Sequence, residues 1–394
     1  MPSRSLSDLH AFLRSHLLTN IIPFWMKHAI DPAGGINTCI RDDGSLVSRD
    51  KWLWSQWRAV WVFSHLYRCH EQNPRYLEIA RHIARFAAKY GWDDQVRGWV
   101  LRVSGDGEVQ AGYDSVYVDG FAIYGLTELA LAGGDAWALD LARKTAEAVI
   151  PRLSQRHETL PSFPYPTPPG ARVHGFPMMF SLCLQELYDA CKHQPYADLA
   201  AKLQDEVMRG FYRADIDMVV ERIAEDWSTY PGHLGSTVVP GHAIEDMWFQ
   251  MHVALSNGRR ELIPQCIRLI KRHLEIGWDA EYGGILLAID AHGGPEIGWK
   301  FADTKLWWPH TEAMYACLLA HEHCREPWCL DWYWKVHDLS FKHYPVPEHG
   351  EWTQKLDRQF RKITDVVALP VKDPFHLPRA IMLCVESLAR MTAK

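Results

Sequence analysis

Four short strings of related composition punctuate the sequence: DPAGGI from Asp31, DDQVRGW from Asp93, DAEYGGI from Asp279 and PEHGEW from Pro347, separated by 62, 186 and 68 residues. Each is turn chemistry following a stretch with helical spacing of apolar residues. Because the middle gap is three times the first, the spacing predicts a unit of about 60 to 70 residues occurring about six times. Two degenerate members are placed near Arg156 and between Asp215 and Val220. Each unit holds two helical patterns, such as Val116 to Ala132 followed by Asp135 to Leu153, and Thr304 to His323 followed by Pro327 to Tyr344. The last pattern, Pro378 to Ala393, has no successor, so the first one, Ser5 to Ala29, is expected to pair with it. Other segments read as helix over Leu53 to Cys69 and Pro74 to Tyr90, and as an extended excursion over Ile36 to Val47.

About twelve helices in six antiparallel pairs can close into a ring around a cleft or stack into an open solenoid. The histidines favour closure. His242, His310 and His376 each stand at a loop-to-helix start, 68 and 66 residues apart, and a ring would bring them to one mouth. The expected fold is therefore all-α, an (α/α)6 barrel with short β-hairpin loops forming one domain over residues 1–394. The proline-rich segment Glu158 to Val173 reads as a lid or rim loop.

Composition narrows the function. A net charge of −6 with no basic run argues against nucleic acid or an anionic membrane as partner. Nine cysteines without CxxC spacing point to free thiols in a reducing compartment, and no stretch is long and apolar enough for a signal peptide or a membrane span, so a cytoplasmic location is expected. The 18 Trp and 21 His exceed what packing asks for and suggest a lined cavity, with indole faces for the C–H surfaces of sugars and imidazoles for proton transfer.

Three strings place histidine beside proline at a helix start: PGHAIE, with His242 and Glu245; KLWWPHTEA, with Lys305, Trp307, Trp308, His310 and Glu312; and DPFHLPRA, with Asp373, His376 and Arg379. Glu245, one turn after His242, is positioned to set that imidazole's tautomer. His174 in VHGFPMM and Arg58 in WSQWRAVW join the set. No HExxH, GxSxG, GxxxxGKS or GxGxxG string occurs, so no metal ligands or nucleotide loop are expected. Several imidazoles with an arginine and aromatic walls suit moving a proton on and off a carbon next to a carbonyl, where a cation steadies the enediolate oxygen.

In FWMKHAIDPAGGINTCI, WSQWRAVWVFSHLY, PGHAIEDMWF, GWDAEYGGI, KLWWPHTEAM, PEHGEW and PFHLPRAIMLC, taken in order, the chain resembles the N-acylglucosamine 2-epimerase family, which includes the renin-binding proteins. The resemblance implies an (α/α)6 barrel and 2-epimerisation of a reducing sugar through an open-chain enediolate. It assigns the C2 proton exchange to His242 and His376, the sugar's carbonyl end to Arg58, and orientation of histidine and substrate to Glu245 and Glu312, with His310 beside them. His174 with Phe176 would form a pocket wall, and Trp308 a sugar platform. No cofactor is needed for the chemical step, a nucleotide response stays open, and a homodimer is expected from the family. Departures at Val239, His174 and Phe176 leave the sugar open among an N-acylglucosamine, mannose or glucose, and a reducing disaccharide. Reprotonation at C1 would make the enzyme an aldose–ketose isomerase instead. A glycoside hydrolase or lyase is disfavoured because its two carboxylates, Glu245 and Glu312, are tied to histidine motifs. A catalytically silent protein-binding member is the reading from another class.

Overall fold

A computed structural model describes residues 5–293 and 298–393. Six helices form an inner ring: Leu53–His65, Tyr117–Gly133, Gly175–Cys191, Pro240–Asn257, Trp307–Cys324 and His376–Thr392. Each packs on the next and on an outer partner: Pro74–Tyr90, Ala136–Leu153, Gln194–Asp205, Ile263–Gly277, Pro327–His343 and, for the last inner helix, Leu6–His16. The first helix of the chain thus supplies the partner that the final helix lacks in sequence. The barrel is all-α apart from two- and three-residue strands in its loops.

The division into inner and outer follows from side-chain distribution. Within Trp307–Cys324 every residue from Pro309 to Ala320 is buried, whereas Pro74–Tyr90 buries one face, including Tyr76, Leu77, Ala80, Ile83, Ala84 and Ala87. A helix apolar all round needs neighbours on every side, and only the inner ring provides them. Ends follow local chemistry. Ser5 Oγ accepts from Asp8 N, Asn73 caps a helix whose first residue is Pro74, and Gly258 ends Pro240–Asn257 at φ 81°. The stretch expected as one helix from Ser5 to Ala29 is split by a wide turn, Leu17–Ile21, before Ile22–His28, because Pro23 has no N–H to continue the ladder.

The repeated strings form tight hairpins. Ile30 pairs with Ile36, Trp92–Asp93 with Gly98–Trp99, Tyr212–Arg213 with Met218–Val219, Trp278 with Ile285 and Pro345 with Trp352. The member expected near Arg156 is no hairpin but a short 3-10 turn, His157–Thr159. A buried side chain receives the N–H that follows four of these turns: Gln56 Oε1 takes Ile36 N at 2.8 Å, Asp119 Oδ1 takes Trp99 N at 3.1 Å, His273 Nε2 takes Val219 N at 3.1 Å and His310 Nε2 takes Ile285 N at 2.9 Å. An unpaired backbone donor would be costly there, so each of these four units carries its own acceptor.

Polar contacts between the first and last inner helices and the loop before the latter close the ring: Arg58 Nη1 donates to Asp373 Oδ1 at 2.9 Å and His65 Nε2 lies 2.7 Å from Glu386 Oε1. The segment 158–173 lies on the rim. Its strand Ala171–Val173 pairs with Arg222–Ala224, Phe163 stacks on Trp52, and the Tyr165 hydroxyl donates to the Val367 carbonyl. All nine cysteines are free thiols, and no described helix is long and apolar enough to cross a membrane.

Candidate active site

The starts of the inner helices meet at one mouth of the ring. Pro240 presets the backbone of the first turn, and Gly241 permits a close approach, since a Cβ there would lie 2.7 to 2.8 Å from Trp308 and Pro309. The indole of Trp308 therefore reaches His242, with ring centroids 5.1 Å apart, and it also contacts His376 at 5.6 Å. Two imidazoles that are 134 positions apart in the chain share one aromatic wall.

Their electrostatic surroundings are opposite. His242, with 40% of its side chain open to solvent, places Nδ1 3.3 Å from both oxygens of Glu221. Burial works against its charge, but Glu221 and then Glu245 outweigh it and raise the pKa above the ordinary value. Glu221 is in turn held well below the usual carboxylate range: burial opposes this, and the charges of His242 and His174 prevail. His174 is wholly buried, with Nε2 2.6 Å from Asp246 Oδ2 and Nδ1 3.7 Å from Glu221 Oε1. Burial is again overcome, here by Asp246 and Glu221, and its pKa is pushed up to about 10.

His376 is the counterpart. Its backbone N–H donates to Asp373 Oδ2 at 2.8 Å, and its Nδ1 lies 2.8 Å from Glu312 Oε1 and 3.8 Å from Glu245 Oε1. Burial drives its pKa down to about 3, with Arg58 and Arg379 adding to the fall and Glu245 and Asp373 resisting it. Arg379 neutralises the carboxylates: Nη2 donates to Glu245 Oε1 and, at 2.8 Å, to Glu312 Oε1, while Trp248 Nε1 donates to Glu312 Oε2 at 3.0 Å. Glu245, Glu312 and His376 offer donor atoms within 4.8 Å of one another, but the guanidinium nitrogen bonded to both carboxylates already supplies the cation at that point. Arg58 lies over Phe121 at 4.1 Å and Trp54 at 4.9 Å, donates through Nη1 to Asp373, and its Nε meets no protein acceptor.

The sequence-predicted set is thus divided. His242, His376, Arg58, Glu245, Glu312 and Trp308 converge, and His174 stands behind His242 through Glu221. His310 does not join them. Its Nδ1 donates to the Leu306 carbonyl at 2.7 Å, its Nε2 accepts from Ile285 N, and burial lowers its pKa to about 3. It serves the hairpin repeat, as His273 does one unit earlier. Lys305 likewise bonds buried Asp279 at 3.0 Å, as Lys51 does Asp31 at 2.8 Å. Replacing His310 with alanine is expected to cost about 1–3 kcal/mol of stability, the penalty of an unpaired buried N–H, while leaving turnover unchanged; a denaturant melt beside an activity assay checks both. The expectation that Glu245 orients His242 is also corrected, because its carboxylate is held by Arg379 on the His376 side. Glu221 takes that place. It lies in VVERIAED, between strands Met218–Val219 and Arg222–Ala224 and 21 positions before His242, and carries no periodic or motif signal. Asp246 was legible only as the residue after Glu245.

The family model described as N-acylglucosamine 2-epimerase (GlcNAc 2-epimerase) matches residues 34–380. The chain belongs to the N-acylglucosamine 2-epimerase family. It is 28% identical over 388 residues to the N-acylglucosamine 2-epimerase of Bos taurus, covering 96% of this chain and 90% of that one. Against the D-mannose isomerase of Marinomonas mediterranea it is 22% identical over 410 residues, covering 98% of both. The fold matches the cellobiose 2-epimerase structure from Spirochaeta thermophila with a TM-score of 0.85 at 22% identity, over 98% of each chain. This family member is an isomerase, and the (α/α)6 barrel is the scaffold it shares with that cellobiose 2-epimerase.

Proposed function

We propose that this enzyme epimerises a reducing aldose at C2 by passing a proton between His376 and His242 through an enediolate, with no cofactor in the chemical step. The observation that carries the proposal is the pair of imidazoles on one indole with pKa values driven in opposite directions. With its pKa lowered, His376 is uncharged at neutral pH and able to accept the C2 proton, while the raised pKa of His242 favours the protonated form that delivers one. Arg58, whose guanidinium is fixed over Phe121 and bonded to Asp373 through Nη1, supplies positive charge for the carbonyl oxygen on which enediolate charge develops. After one turnover the protonation states are exchanged, which readies the pair for the reverse reaction. The open edge of His242 lets solvent reset them. Trp308 offers a face for the sugar's C–H surface between the two rings.

Similarity to both N-acylglucosamine 2-epimerase and D-mannose isomerase supports a pyranose-derived aldose and two outcomes of one enediolate: proton return to C2 gives the epimer, return to C1 the ketose. Incubation with N-acetylglucosamine, N-acetylmannosamine, mannose, glucose and cellobiose in deuterated water distinguishes them. The proposal expects deuterium at C2 of the aldose product. Label at C1 with ketose would make the enzyme an aldose–ketose isomerase, and no exchange with any sugar, together with recovery of a protein partner, would favour the binding-protein reading.

A further inference from the structure

The string PSFPYPTPPG, residues 161–170, carries five prolines in ten positions. Proline fixes φ near about −65°, so such a stretch has few backbone alternatives to lose when it takes up one shape. It returns to the third inner helix on the side from which it left: Gly170 N donates to a Glu158 carboxylate oxygen, and Ala171–Val173 pairs with Arg222–Ala224. Its middle reaches elsewhere. Phe163 N donates to the Asp114 carbonyl at 3.0 Å and Val116 N to the Pro161 carbonyl at 2.9 Å, just before the second inner helix. Phe163 also stacks on Trp52, at the start of the first, with centroids 6.1 Å apart. Tyr165 meets Trp299 edge to face at 5.5 Å, in the loop before the fifth inner helix, and its hydroxyl donates to the Val367 carbonyl in the loop before the sixth. A segment that belongs to the third member of a six-membered ring and touches loops serving the first, second, fifth and sixth crosses the mouth.

The crossing is tied to the aromatic wall of the site. Trp299 and Trp308 pack on one small apolar patch, Val239, Ala288 and Ala302, and Trp308 is the indole shared by His242 and His376. Tyr165 is therefore one ring removed from the patch that backs the two imidazoles, while 45% of its own surface stays open. Arg58 and His376, with 13% and 10% of their side chains exposed, hold the deep end of the pocket. An aldose whose carbonyl end and C2 are engaged there can send C4 to C6 only toward the mouth.

We propose that Tyr165, held between Trp299 and the Val367 carbonyl, sets the length of the substrate: it closes over the far end of one aldose unit and excludes a second sugar linked through O4. This rests on the C2 proton-transfer reading of the pocket and narrows the sugar which that reading leaves open to a single unit. The basis is steric. A glycosidic substituent has to displace the phenol ring, with loss of its hydrogen bond and of its packing on Trp299, whereas a free C4 hydroxyl displaces nothing. A clash of this kind discriminates against the longer sugar without any added contact to the shorter one.

The test compares sugars that share a reducing unit, glucose with cellobiose and N-acetylglucosamine with N,N′-diacetylchitobiose, in wild type and in Tyr165→Ala. Deuterium exchange at C2 gives kcat/KM, and calorimetry gives binding of each sugar independently of turnover. For whichever pair is accepted, wild type is expected to favour the single sugar, and Tyr165→Ala to reduce that preference by about tenfold or more through a gain on the disaccharide. Equal treatment of the two members by wild type, no gain on the disaccharide in Tyr165→Ala, or failure of every sugar to bind would overturn the proposal. The two readings fail separately: a binding preference for the single sugar that Tyr165→Ala relaxes, with no exchange at C2, would keep the barrier and remove the proton transfer.

Discussion

His242→Gln and His376→Gln are each expected to lower sugar turnover by about 100- to 10,000-fold, the range contributed by a positioned acid or base, without loss of the fold. Both rings stand at helix starts, His242 is 40% open to solvent, and the glutamine amide at position 376 can still donate to Glu312, so circular dichroism and melting temperature should stay close to wild type. Solvent deuterium incorporation at C2 is the decisive readout. Incorporation at the wild-type rate in either variant would remove that histidine from the reaction. The assignment also fixes the sign of the pH dependence. His242 must be protonated to deliver, and its pKa is raised, chiefly through Glu221 once burial is overcome. Activity is therefore present below that raised pKa and falls as pH rises through it. In Glu221→Gln the raising charge is gone, and the alkaline limb of the kcat/KM profile is expected to move down by about one pH unit or more. A limb that stays in place would mean that another group sets it.

The second large effect belongs to Arg379. Its side chain is 1% exposed and bonds Glu245 and Glu312, which are 6% and 0% exposed. Arg379→Met leaves two buried carboxylates facing each other without a cation. Breaking such a cluster from one side costs about 3–5 kcal/mol, to be measured by denaturant unfolding at neutral pH. Because the loss comes from uncompensated charge, the triple variant Arg379→Met, Glu245→Gln, Glu312→Gln is expected to recover most of it. A loss below about 1 kcal/mol in the single variant would show that the cluster relaxes or protonates at little cost. The chemistry should respond as well. Arg379 is among the charges that lower the His376 pKa, so its removal raises that pKa and shifts the acid limb of the activity profile upward.

Much of the architecture is legible in the chain because its causes are local. Turn strings with glycine or a left-handed residue, such as Asp31 to Ile36 and Asp279 to Ile285, repeat at a fixed interval, and helical spacing between them gives the paired helices. Their number and the lone final helix imply closure on the first one. The motif PGHAIE marks a helix start with an inward histidine for the same reason: proline, glycine and the i,i+3 relation act within one turn. The limits are equally physical. His310 stands in the same kind of string as His242 and His376, yet a hairpin N–H claims its Nε2 and a carbonyl its Nδ1, partners that exist only once the chain is folded.

By itself, then, the sequence determined the ring of helix pairs, the family, and which helix starts carry imidazoles, since each follows from spacing and residue type along the chain. Only the tertiary structure decided which carboxylate serves which imidazole: Glu221 for His242 from the junction of two short strands, Glu245 and Glu312 with Arg379 for His376. Proton affinity depends on burial and on charges within a few ångströms, and those distances are set by packing between elements up to hundreds of residues apart.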